Sequence, residues 1–253
     1  MLLNIKERKE KIISAAIKNG FVSVTEMAKE LGVCDATVRR DIQAISEEGL
    51  LDVAHGGAFL AKNSDYSFIS KSQRNVEAKK TIAQLAAEMV KDGDQIFLDS
   101  GTTCFEMTQY LRAKKSVSII VNSVRIAEEL NAPGLNVLML GGKYRPDRMD
   151  CIGPIAYQTL DRLRGYTVFV GTDGMSRDFG FTSIDVESAS IFGLAVKNSK
   201  RAILLADSSK FDKPALYKTT SIRSISTIIT EKRPAAEWCK FFDKYNIKLV
   251  YPE

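Results

Sequence analysis

The sequence predicts a two-domain α/β chain: a small helical unit at residues 1–60, a linker at 61–76, and a larger, mostly parallel α/β sheet domain at 77–253. Three observations predict this. The chain has 253 residues, more than the roughly 100–200 of a usual single domain. Residues 1–60 read as helices broken by a glycine turn and closed by a hairpin. From Gln95 onward, short apolar runs alternate with helical stretches. That alternation is the pattern of a parallel sheet covered by helices on both faces.

The elements follow in order. Ile5, Ile12, Ile13, Ala16 and Ile17 share one face of a helix over 5–19, which Asn19-Gly20 ends. Ser23 or Thr25 can cap a short second helix reaching Leu31. Gly32-Val33-Cys34 is a turn, and Asp35 is the expected N-cap of a third helix that runs to Glu48 and stops at Gly49. Leu50 to Phe59 alternates and breaks at Gly56-Gly57, a β-hairpin or wing. Residues 61–76 are polar and weakly periodic, and 77–91 form a helix rich in Ala, Lys and Glu. The predicted strands beyond it are Gln95–Leu98, Val117–Val121, Asn136–Leu140, Tyr166–Val170, Ala202–Ala206, Thr227–Thr230 and Ile247–Val250. Helical patterns lie at Thr103–Arg112, Val124–Leu130, Ile155–Leu163, Val186–Asn198 and Ala235–Tyr245.

Composition narrows the classes. Hydrophobic residues make up 45% and charged residues 26%, as in ordinary globular proteins. No apolar run approaches the ~18–20 residues that span a bilayer, so no membrane partner is expected. The polar start, Met1 to Lys11, does not read as a secretory signal. Cys34, Cys104, Cys151 and Cys239 are scattered without metal-ligand spacing, so the expected setting is a reducing cytoplasm, with no metal and no cofactor. Net charge is +5, yet residues 1–60 carry eight Lys/Arg against nine Asp/Glu, a net of −1. Nucleic-acid binding therefore rests on the placement of a few cations and not on bulk charge.

Two helices joined by a glycine turn form a helix-turn-helix unit. On the second helix of the pair, Val38, Ile42 and Ile45 recur at helical spacing and turn toward a core. Thr37, Arg39, Arg40 and Gln43 are left to face outward, where a recognition helix meets the major groove. Arginine pairs bidentately with guanine edges or phosphates, and glutamine reads adenine. Lys6 and Lys9, with Lys11, are placed to hold the DNA backbone, and His55 and Gly56 in the wing to shape it or touch phosphate.

The stretch LGVCDATVRRDIQAISEEGLL followed by HGGA resembles the DeoR family of bacterial regulators, through Thr37, Arg39, Arg40, Asp41, His55, Gly56 and Gly57. Two positions depart: Cys34 stands where the family has Ser, and Val53 where it often has Arg.

In the larger domain, strand Gln95–Leu98 enters Asp99-Ser100-Gly101-Thr102-Thr103 and then a helix. Free N–H groups at such a helix start make a phosphate cradle. It is not a Walker loop, since no Lys follows the glycine in that pattern. Other strand ends carry Asn122-Ser123, Gly141-Gly142, Gly171 to Gly174 and Asp207 to Phe211. Each alone is explained as a turn, but ligands of open α/β sheets bind where such ends gather. DSGTT, NS, GG, GTDG, GFTS with Glu187, and ADSSKF extend the DeoR resemblance over nearly the whole chain.

The resemblance implies a sensor fold like the sugar-phosphate isomerases and deaminases, with a phosphorylated sugar as effector. By the same resemblance Ser100, Gly101, Thr102 and Thr103 hold the phosphate, and Asp99, Asn122, Asp173, Glu187 and Lys210 line the sugar end. It also implies a repressor of a carbohydrate operon, bound to operator DNA as a homodimer or homotetramer and released by effector. The alternative is a sugar-phosphate isomerase or deaminase with an N-terminal interaction domain. Against it, the sensor half has no histidine, the commonest acid–base residue near neutral pH.

Overall fold

The computed structural model describes residues 3–61 and 68–252. It divides into two compact units, Met1–Arg74 and Asn75–Glu253.

In the first unit, helix α1 (Ile5–Asn19) opens with a capping box: Asn4 accepts from the Glu7 N–H, and the Glu7 side chain accepts from the Asn4 N–H. Strand β1 (Phe21–Ser23) follows, then α2 (Val24–Leu31), α3 (Asp35–Glu47), β2 (Leu51–Ala54) and β3 (Gly57–Leu60). Ser23, and not Thr25, caps α2. The N-cap of α3 is Cys34, not the expected Asp35. Cys34 is extended, at φ −79° and ψ 156°, and its carbonyl already accepts from the Thr37 and Val38 N–H groups, which places Asp35 inside the first turn.

Ile12, Ile13 and Ala16 of α1 pack with Met27, Leu31, Val38, Ile42 and Ile45 around one core. Each of the larger side chains among them contributes about 1.5–3 kcal/mol on burial. The wing is a three-stranded antiparallel sheet in the order β1-β3-β2, one strand more than the predicted hairpin. Gly56 turns the hairpin at φ +76°. At Gly57 a Cβ would stand 2.0 Å from the Val22 carbonyl oxygen, so only glycine lets β1 approach.

The stretch read as a linker carries helix α4 (Phe68–Ser72), whose Ile69 packs against this same core. Residues 62–67 of that stretch lie outside the described residues.

The second unit starts with α5 (Val76–Glu88) and continues β4 (Gln95–Leu98), α6 (Thr102–Leu111), β5 (Val117–Val121), α7 (Val124–Glu129) and β6 (Leu135–Met139). A hairpin, β7 (Lys143–Arg145) and β8 (Asp150–Ile152), leads to α8 (Pro154–Leu160) and β9 (Thr167–Gly171). Then come β10 (Gly174–Ser176), β11 (Gly180–Ser183), α9 (Val186–Asn198), β12 (Arg201–Leu205), β13 (Tyr217–Thr220), β14 (Thr227–Ile229), α10 (Ala236–Lys244) and β15 (Lys248–Val250).

Seven strands form one parallel sheet in the order β15-β14-β12-β9-β4-β5-β6. They are the seven predicted, with ends shifted by a residue. Side chains alternate across it. Ile96 and Leu98 join α5, α6 and α7 on one face, while Phe97 joins α8, α9 and α10 on the other. The accessory antiparallel pieces, β10-β11-β13 and β7-β8, were not predicted.

From β4 the chain winds outward through β5 to β6, then returns to β9 on the other side of β4 and winds away through β12, β14 and β15. The reversal lies between β4 and β9. Loops leaving two such strands diverge and open a crevice at their carboxyl ends.

Candidate functional site

The outward face of α3 carries the residues expected to read a groove. Val38, Ile42 and Ile45 are buried, and Arg39, Arg40 and Gln43 are exposed. Thr37 is half-buried, its hydroxyl 3.3 Å from the Cys34 sulfur. His55 and Gly56 sit exposed in the turn of the wing, and Lys6 is exposed on α1. Lys9 is not free: its ammonium pairs with Glu48 at 2.8 Å, tying α1 to the end of α3.

One contact was not foreseen. Asp41, 5% exposed, accepts from Arg8 Nε at 2.8 Å and from a terminal guanidinium nitrogen at 3.1 Å. This fork locks α3 against α1. Asp41 therefore aims the two preceding arginines outward while itself facing in.

In the second unit the crevice is built around Asp99. Its carboxylate is 1% exposed and accepts from the Gly101 N–H and, across the reversal, from the Gly171 N–H. Burial raises its pKa, against the pull of those two donors. Asp99 thus braces the ends of β4 and β9 from inside and does not line the sugar end. A Cβ on Gly101 would meet an Asp99 oxygen at 2.7 Å, which explains the glycine.

Gly101 is the N-cap of α6, and no side chain among the described residues caps that helix. Its first-turn N–H groups therefore look for an acceptor, in the field of the helix's positive end. Ser100, Gly101 and Thr103 are half-exposed, whereas Thr102 is buried at 8% exposure.

Asn122 stands beside this loop, since Leu98 and Val121 are register partners. It is fully buried. Its amide donates to the Cys151 carbonyl at 3.2 Å, and its Oδ1 has no hydrogen-bond partner among the described residues. An orphaned buried carbonyl costs about 1–3 kcal/mol, which a donor on a bound molecule would offset.

Asp173 accepts from the Ser183 hydroxyl and the Ile184 N–H, at 3.1 and 2.9 Å. Glu187 accepts from the Tyr157 hydroxyl, and burial together with that bond pushes the phenol up to about 12. Lys210 lies half-exposed on the 3₁₀ turn Ser208–Lys210, with no ion pair among the described residues.

The sequence reading missed a charged cluster. Arg145 of β7 forks onto Asp150 of β8 at 2.8 and 2.7 Å and reaches Asp185, the N-cap of α9, at 2.6 Å. Arg148 adds a 3.2 Å contact to Asp185. Burial alone would raise the Asp185 carboxyl. The Ser188 hydrogen bond and the two guanidinium groups outweigh it and hold Asp185 at about 2. The available signal was the run Arg145-Pro146-Asp147-Arg148-Met149-Asp150, two residues after Gly141-Gly142.

Comparison with known proteins bears on both units. Residues 8–64 match the DeoR-like helix-turn-helix domain, and residues 74–232 match the DeoR C terminal sensor domain. The chain belongs to the DeoR family.

Among DeoR-type relatives, the lactose phosphotransferase system repressor of Lactococcus lactis subsp. lactis is 32% identical over 249 residues, covering 96% of this chain and 97% of the relative. The HTH-type transcriptional regulator GlpR of Haloferax volcanii is 29% identical and covers 89% of each chain. Among solved structures, ribose 5 phosphate isomerase A from Neisseria gonorrhoeae aligns over 53% of this chain and 52% of its own, with 18% identity and a TM-score of 0.39. The delta chain of eIF2B from Chaetomium thermophilum aligns over 90% of both chains, with 16% identity and a TM-score of 0.49. No helix of the described residues is long and apolar enough to cross a membrane.

Proposed function

We propose that this DeoR-family regulator is a cytoplasmic repressor of a carbohydrate-utilisation operon, released from its operator by a phosphorylated sugar. The observation that carries the effector reading is the uncapped start of α6 at the sheet's reversal, beside the orphaned Oδ1 of Asn122. The helix start asks for an anion. Asn122 asks for a hydrogen-bond donor, which a sugar hydroxyl supplies. Ser100, Gly101 and Thr103 hold the phosphate, and Lys210 adds a cation.

No catalytic role is assigned to the site. Asp99, Asp173 and Glu187 are each engaged by donors of the chain itself, so none is poised as a base. The sole histidine is His55, in the other unit. Conversion of pentose or hexose phosphates at enzymatic rates would reverse this assignment.

On DNA, Arg39, Arg40 and Gln43 read base edges and Lys6 holds phosphate. A homodimer or homotetramer presents two heads to half-sites about one helical turn apart. Arg39→Ala with Arg40→Ala abolishes retardation of an operator fragment on a gel without lowering the melting temperature, because both side chains are exposed. Undiminished retardation would refute the assignment of α3.

A further inference from the structure

We propose that Arg145 is a positioning residue of the effector site, and that Ser100, Asp150, Arg145 and Asp185 form a relay carrying occupancy of the cradle to helix α9. The proposal rests on the effector reading above.

The connections are continuous. The Ser100 hydroxyl, in the cradle loop, stands 3.4 Å from Asp150 Oδ2, a long and weak bond. Asp150, 1% exposed, is held by the Arg145 fork. Arg145 passes to Asp185, which also accepts from the Ser188 hydroxyl at 2.6 Å and from the first N–H groups of α9. The same hairpin is stitched to the β5 exit: Cys151 N–H donates to the Asn122 carbonyl at 2.8 Å, and Val124 N–H to the Met149 carbonyl at 2.8 Å. Four elements at the crevice thus meet in one polar cluster.

A hydroxyl has one proton to donate. Ser100 gives it to Asp150 or to an anion in the cradle, not to both. An arriving phosphate accepts that hydrogen bond in place of Asp150 and leaves Asp150 to Arg145, so the balance of Arg145 between Asp150 and Asp185 shifts. A buried cluster of this kind is weak evidence for stability, because desolvation of its charges offsets their attraction. A conformational role accounts for its place at the crevice.

Hydrogen–deuterium exchange of the full chain, with and without inorganic phosphate, tests the relay. In the wild-type protein phosphate slows exchange at residues 100–104, and the change extends to 143–152 and 185–189, by about tenfold. Arg145→Lys keeps the charge but loses the fork. Asp185→Asn keeps an N-cap acceptor but loses the charge. In both variants protection stays at 100–104, and the phosphate-dependent change at 185–189 disappears. A merely structural cluster predicts faster exchange in the hairpin of both variants without phosphate, and an unchanged phosphate-dependent difference at α9. That result would overturn the relay, as would wild-type protection confined to 100–104. Absence of any protection at 100–104 in the wild type would instead bring down the cradle, and the relay with it.

Discussion

Asp41 and Asp99 are acidic residues in motifs that carry the resemblance to known regulators, and both turn inward. Asp41 holds Arg8, and Asp99 holds two glycine N–H groups. Of their neighbours, Arg40 is exposed and Ser100 half-exposed. Replacing Asp41 with Asn removes the charge and one arm of the fork that holds the Arg8 guanidinium. The prediction for Asp41→Asn is a lower melting temperature of the N-terminal unit in calorimetry, and weaker operator binding because α3 is no longer clamped. An unchanged transition would show that the fork contributes nothing. These inward roles were not legible in the sequence. Whether a carboxylate faces a helix 33 residues away or a strand end 72 residues away depends on the tertiary fold alone.

At the scale of elements, legibility followed burial. The central parallel strands are covered on both faces, so they read as short apolar runs such as Ile119-Ile120-Val121. The strands missed are three or four residues long: Phe21-Val22-Ser23, Lys143-Tyr144-Arg145, Asp150-Cys151-Ile152, Gly174-Met175-Ser176, Gly180–Ser183 and Tyr217–Thr220. Such segments lack the length to show a period. The strand, glycine loop and helix start of the proposed cradle were legible because they are contiguous. The cluster on β7 and β8 was not, since its partner Asp185 lies 40 residues beyond Arg145.

That cluster makes a pH prediction. Asp185 has its carboxyl depressed to about 2 from 3.8. A depressed carboxyl adds stability that is present above its unfolded value and is lost as pH falls toward the folded one. Between about pH 4 and pH 2 the wild-type sensor unit therefore loses more stability than Asp185→Asn does. Parallel melting curves through that window would show the Asp185 contribution to be absent.

For the whole molecule, each unit has its own core, and function requires a linkage between them. A ligand shifts operator affinity only by its differential affinity for two states, typically about 1–3 kcal/mol. The most direct measurement is a thermal-shift comparison of matched sugar pairs, with and without the phosphate, on the wild-type chain and on Thr103→Glu. Thr103 is half-exposed in the first turn of α6, where a glutamate suits the helix but fills the anion's place. Only a phosphorylated member should raise the wild-type melting temperature, and Thr103→Glu should lose that rise while melting like the unliganded protein. An equal rise from the unphosphorylated sugar, or a rise that persists in Thr103→Glu, would place the effector elsewhere.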